Sequence, residues 1–88
     1  MSYTVILTPE AAANLRHFDK STAVRIVSKL VWFALNFEEV TPEPLTGQFK
    51  GTFRFRIGDY RAVYSLDHKD KVINVLTVHH RSGVYKPK

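Results

Sequence analysis

Residues Phe53-Arg54-Phe55-Arg56-Ile57-Gly58-Asp59-Tyr60-Arg61 alternate apolar and cationic side chains, break at Gly-Asp, and resume with another aromatic and another cation. Successive side chains of a strand point to opposite faces. Phe53, Phe55 and Ile57 therefore share one face, and Arg54 and Arg56 share the other. A two-residue turn with glycine first suits a type II′ hairpin. It sets Ile57 opposite Tyr60 and Arg56 opposite Arg61. This stretch commits the chain to an antiparallel sheet with one apolar and one cationic face. Like charges directly across a strand pair destabilise it, which leaves room for an anion as third party, phosphate being the natural one.

The rest of the 88 residues supplies what such a sheet needs to bury its apolar face. Ser2 to Leu7 reads as a short strand with Tyr3, Val5 and Leu7 on one side. Thr8-Pro9 has the form of an N-cap followed by proline at the first helical position, which starts a helix running to about His17. Asp19 or Ser21 caps a second helix reaching about Asn36, whose apolar residues Val24, Val27, Leu30, Val31, Ala34 and Leu35 follow helical spacing. So short a link implies an antiparallel helical hairpin. Glu38 to Gly47, with Pro42 and Pro44, reads as a loop. Strands at about Phe49–Ile57, Tyr60–Leu66 and Val72–Arg81 form a three-stranded antiparallel meander. The expected fold is α+β: one domain over 1–88, one sheet, helices packed on one face, and the cationic face open.

With +5 formal charge and no cysteine, disulfides and thiolate metal sites are excluded, and the charge balance points to an anionic partner. No apolar run approaches the roughly 18 residues that span a bilayer, and the N-terminus lacks a secretory pattern. The expectation is a cytoplasmic protein with no membrane association.

Extending the alternation places Lys50, Thr52, Arg54 and Arg56 on the open face, with Arg61, Val63 and Ser65 from the next strand. The last strand adds His80 or Arg81 near its end, and Tyr85 follows. Phe49, Phe53, Phe55, Tyr60 and Tyr64 fit the core. Arginine forks bind phosphate bidentately, and aromatic rings stack on unpaired bases, so the set suits RNA. His79-His80 makes a poor metal pair, because adjacent strand residues diverge and no third ligand is evident. There is no P-loop, dinucleotide glycine fingerprint or serine-nucleophile motif, and no cofactor is implied.

Leu45-Thr46-Gly47, the run from Gly51 through Tyr64, and Val78-His79-His80-Arg81 with Val84-Tyr85 together resemble the signature of the RelE/ParE toxin superfamily, and the order of elements agrees over nearly the whole chain. The resemblance implies the toxin of a toxin–antitoxin pair. In the RelE branch, such a toxin enters the ribosomal A site and cuts mRNA without a metal. The family's basic catalytic positions fall on Arg54, Arg56, Arg61 and Arg81, and its aromatic one on Tyr85; Lys50 joins Arg54 and Arg56 as an RNA contact. Arginine is a poor proton acceptor, so the base is sought elsewhere. Pro42-Glu43-Pro44-Leu45 resembles the YoeB-like branch, in which a glutamate before the meander acts as base. His80, with an unperturbed pKa near 6.5, is the other candidate. The implied reaction is transesterification by the RNA 2′-hydroxyl, dependent on the ribosome and inhibiting translation. The implied partners are a small acidic antitoxin, mRNA and the ribosome, with DNA reached only through the antitoxin. Two other activities fit the resemblance: a ParE-like DNA gyrase inhibitor, and an inactive toxin that serves as co-repressor.

Overall fold

In the computed structural model, which describes residues 2–82, both helix starts follow the local chemistry. The Thr8 hydroxyl accepts from the Ala11 amide at 3.2 Å, and Pro9 opens helix α1, Pro9–His17. Asp19 caps α2, Lys20–Leu35, by accepting from the Thr22 amide. Hydrogen bonds from Ser21 and then Thr22 lower its carboxyl pKa to about 2.

Strands β1 (Thr4–Leu7), β2 (Glu43–Pro44), β3 (Phe53–Ile57), β4 (Tyr60–Asp67) and β5 (Val72–His80) form one sheet in the order β1-β5-β4-β3-β2. β3, β4 and β5 are the expected antiparallel meander, and β1 joins it parallel to β5. At the first hairpin Ile57 pairs with Tyr60 and Arg56 with Arg61. Gly58 takes φ 59° there, a left-handed value that glycine adopts without a Cβ clash.

Two parts of the meander differ from the sequence reading. The segment expected to be all loop contains β2, which pairs with β3 through Glu43–Arg54 and Pro44–Phe53. β3 begins at Phe53 rather than Phe49, because Gly47–Phe49 form a 3₁₀ turn. Lys50 follows that turn, exposed and off the strand, so strand alternation does not position it.

The core lies between α2 and one sheet face. Ile26, Leu30, Phe33 and Ala34 are buried on α2, against Phe55, Ile57, Ala62, Tyr64, Ile73, Val75 and Val78. Phe33 stacks on Phe55 with centroids 4.1 Å apart and planes 7° apart, and meets Tyr64 edge-on at 5.2 Å. Burial pushes the Tyr64 hydroxyl up to about 12, so it stays neutral. Of the six apolar α2 positions marked by spacing, only Leu30 and Ala34 are buried. Val24, Val27, Val31 and Leu35 form a neighbouring apolar face, 40–63 % exposed. With Tyr3, Val5 and Leu7 beside them, Val27, Val31 and Leu35 line a cleft of about 360 Å³ between α2 and the edge strand β1.

A bulge in β5 decides which side chains its last turns present. Val63 pairs with Thr77 but Tyr64 with Val75, leaving Leu76 unmatched. One extra residue reverses the side-chain parity beyond it. Ile73 and Val75 face the helices before the bulge, and Val78 does so after it. Helix α1 holds this irregularity: the Thr8 hydroxyl donates to the Leu76 carbonyl at 3.0 Å, and Asn14 Oδ1 accepts from the Val78 amide and the Thr77 hydroxyl, both at 2.9 Å.

Candidate nucleic-acid interface

The face opposite the α2 core carries Arg54 and Arg56 on β3, Arg61 and Val63 on β4, and Thr77 and His79 on β5; Val63 and Thr77 are buried, Thr77 bonded to Asn14 where α1 runs along the strand. The ladder aligns Arg56 with Arg61 and His79 in one row, and Arg54 with Val63 and Thr77 in the next. Directly opposed residues share a face, so these cations converge as expected. Arg54, Arg61, Val63 and His79 line a pocket of about 170 Å³, closed by Leu45 and Phe49 from the segment after β2. Phe49 therefore belongs to the open face, not to the core.

The like-charged row already has a neighbouring anion. Glu43 Oε1 accepts from Arg54 Nη2 at 2.8 Å and Nε at 3.3 Å, and lies 3.6 Å from Arg56 Nη2. The register of β2 puts it there, since Glu43 is the direct partner of Arg54. The Arg54 hydrogen bond, followed by the charges of Arg56, Arg54 and Arg61, holds the Glu43 carboxyl below its ordinary 4.5. Such a carboxylate is a weaker proton acceptor than a free one. In this arrangement it does for the arginines what a phosphate oxygen would.

The last strand corrects the sequence reading. His80 pairs with Tyr60 on the helix-covered face, its ring edge-on at 5.1 Å from the Tyr60 ring, and its Nδ1 lies 2.6 Å from the Ser82 hydroxyl. His79 occupies the place expected of His80, directly across from Arg61. The bulge at Leu76 is the reason, and the shift from Ile73/Val75 to Val78 in the apolar pattern is its trace in the sequence. Burial, then the nearby Arg61 charge, lowers the His79 pKa from 6.5. Arg81 sits at the rim, where its amide bonds the Asp59 carbonyl and its Nε lies 3.7 Å from Asp59 Oδ1. Tyr85 lies outside the described residues.

This sequence and fold match a known group of proteins. Residues 5–85 match the family described as the ParE toxin of type II toxin–antitoxin systems, parDE. The chain is 32 % identical over 90 residues to Toxin RelG of Mycobacterium tuberculosis, covering 98 % of this chain and 99 % of that protein. Among solved structures, the RelBE2 toxin–antitoxin complex of the same organism superposes with a TM-score of 0.77 at 29 % identity, over 92 % of this chain and 100 % of the other. The archaeal RelE–RelB complex from Pyrococcus horikoshii superposes with 0.71 at 27 % identity, over 96 % and 100 %.

The chain belongs to the ParE toxin family, within the RelE/ParE superfamily. It is a RelE-like toxin of a type II toxin–antitoxin system.

Proposed function

We propose that this toxin is an endoribonuclease that cuts mRNA on the ribosome and so stops translation. The observation that supports it most is the row Arg56–Arg61–His79 beside Arg54, on the sheet face opposite the α2 core, with a carboxylate seated in the Arg54 fork. In the reaction the RNA 2′-oxygen attacks the adjacent phosphorus. The 2′-O–P bond forms and the P–O5′ bond breaks, giving a 2′,3′-cyclic phosphate and a 5′-hydroxyl. Arg61, with Arg54 and Arg56, neutralises charge developing on the phosphate oxygens. The phosphate takes the seat Glu43 occupies, and Glu43 keeps the guanidinium groups aligned until then. Arg81 at the rim stands by the departing 5′ oxygen. Lys50 adds an electrostatic contact to the strand. Tyr85 enters as a base-orienting ring through the family resemblance alone.

The toxin acts in the cytoplasm and is held by a cognate antitoxin, as the RelB–RelE complexes among its structural relatives suggest. The antitoxin fits as a small acidic protein that lays an amphipathic helix in the cleft between α2 and β1. α2 offers Lys20, Arg25 and Lys29 around that apolar surface and no acidic residue, so acidic flanks match it. A further acidic segment reaches the open-face arginines, and DNA contact comes through the antitoxin.

The match to the ParE family favours a second reading, that the toxin inhibits DNA gyrase. One paired experiment separates them: the purified toxin is given translating ribosomes in one tube and gyrase with relaxed plasmid in the other. New mRNA 5′ ends with normal supercoiling support the nuclease. Intact mRNA with blocked supercoiling overturns it.

A further inference from the structure

We propose that Asn14 of helix α1 is a positioning residue for the arginine face: it clamps the end of β5 and so sets one wall of the pocket that holds the phosphate, a role that rests on the nuclease reading above. The side of α1 turned to the sheet carries Ala11, Asn14, Leu15 and Phe18. Ala11 and Leu15 are buried there, and Asn14 is half-buried between them. The buried side of a helix is ordinarily apolar, and a polar group there costs stability unless its hydrogen bonds are made. Asn14 spends both on β5: its Oδ1 accepts from the Thr77 hydroxyl and from the Val78 amide, each at 2.9 Å.

The end of β5 needs such a clamp. β1 stops at Leu7, opposite Val75. Past that point the outer edge of β5 has α1 beside it instead of a strand, and the Val78 amide points off that edge to Asn14. Thr8 takes the Leu76 carbonyl, and Asn14 takes the two residues that follow. The unmatched Leu76 is thus pinned from both sides of the bulge. If Leu76 entered the ladder, parity would reverse, turning Thr77 to the core and Val78 to the arginine face. Burial of Val78 opposes that reversal as well, so loss of Asn14 loosens the strand end without flipping it.

Two rows of the site end on the clamped segment. Thr77 stands directly across from Val63, and Val63 from Arg54; His79 stands across from Arg61. Arg54, Arg61, Val63 and His79 line the one pocket, so the seating of β5 against β4 sets its width. A misplacement of about 1 Å from a change remote from the chemistry can cost on the order of 10²-fold in rate.

The test compares Asn14→Leu, Asn14→Asp and Asp19→Ala with the wild type. Leucine fills the space and cannot accept a hydrogen bond. Aspartate keeps the accepting oxygen. Asp19→Ala removes the α2 cap and serves as a control for lost stability. Native-state hydrogen exchange is read at Arg61 and Val63, the β4 partners of His79 and Thr77, relative to Phe55 and Ile73 in the core. In Asn14→Leu, exchange at Arg61 and Val63 rises tenfold or more over the core pair. In Asp19→Ala all four amides move together, and in Asn14→Asp they stay near wild type. On translating ribosomes Asn14→Leu lowers kcat for mRNA cutting about 10–10²-fold with little change in KM, while Asn14→Asp and Asp19→Ala keep cutting. If Asn14→Leu cuts at the wild-type rate while Arg61→Ala does not cut, Asn14 is not a positioning residue and the nuclease reading stands. Exchange in Asn14→Leu that rises uniformly, or not at all, would overturn the proposal even where cutting falls. If the wild type cuts nothing while the selective rise is seen, the nuclease reading fails and the setting of the pocket wall by Asn14 stands.

Discussion

The cleft between α2 and β1 and the pocket between Arg54 and His79 are built on one sheet, yet they have opposite chemistry. The cleft is about twice the size, 360 against 170 Å³. Nearly all the side chains that line it are apolar. The pocket gathers guanidinium and imidazole groups around a small apolar floor. Val31 and Leu35 have the area and shape to hold a protein segment, while Arg54 and Arg61 have the charge and reach to hold a phosphate. A partner seated in the cleft would therefore leave the arginine face untouched. Silencing that face takes a second contact, such as an acidic side chain in the seat Glu43 now fills.

The separation can be broken by substitution, and the largest expected effect is at the pocket. Arg61→Ala removes a guanidinium proposed to meet developing phosphate charge, and cutting should fall on the order of 10²–10³-fold. Antitoxin binding through the cleft should persist in calorimetry. Loss of both together would show that the two regions act as one. At the cleft, Val31→Asp sets an unpaired carboxylate on the apolar lining of the proposed antitoxin site. The antitoxin should bind about tenfold or more weakly, a cost of at least ~1.4 kcal/mol, while cutting by the free toxin is unchanged. The smallest effect links the two sides. Thr8→Ala removes the α1 N-cap and one tie to the Leu76 bulge, and urea unfolding should show a loss of about 1 kcal/mol.

The same comparison shows how far local chemistry reaches. The hairpin register at Gly58-Asp59, the caps at Thr8 and Asp19 and the convergence of Arg54, Arg56 and Arg61 were legible because each depends on neighbours in sequence. β2 was not, since two residues, one of them a proline and the other preceded by one, carry little strand signal and pair only because β3 offers an edge. The identity of the facing histidine was not either. Parity along β5 is reset by a bulge that Thr8 holds from 68 positions away, and alternation counted along one strand cannot register that. On α2 the apolar residues fill two adjoining faces, and spacing alone did not tell which would meet the sheet. Phe33 and Ile26 chose the buried one, leaving Val24, Val27, Val31 and Leu35 outside.

The attacking group is the 2′-hydroxyl in the proposed reaction, and replacing it tests that reaction most directly. A reporter mRNA is presented to the toxin on translating ribosomes twice, once all-ribose and once with a single deoxyribose at the mapped cleavage position, and the new 5′ ends are counted. Cutting of the first strand and silence at that position in the second is the expected result. Equal cutting of both would mean that the 2′-hydroxyl is not the nucleophile, and the chemistry assigned to the arginine face would be wrong.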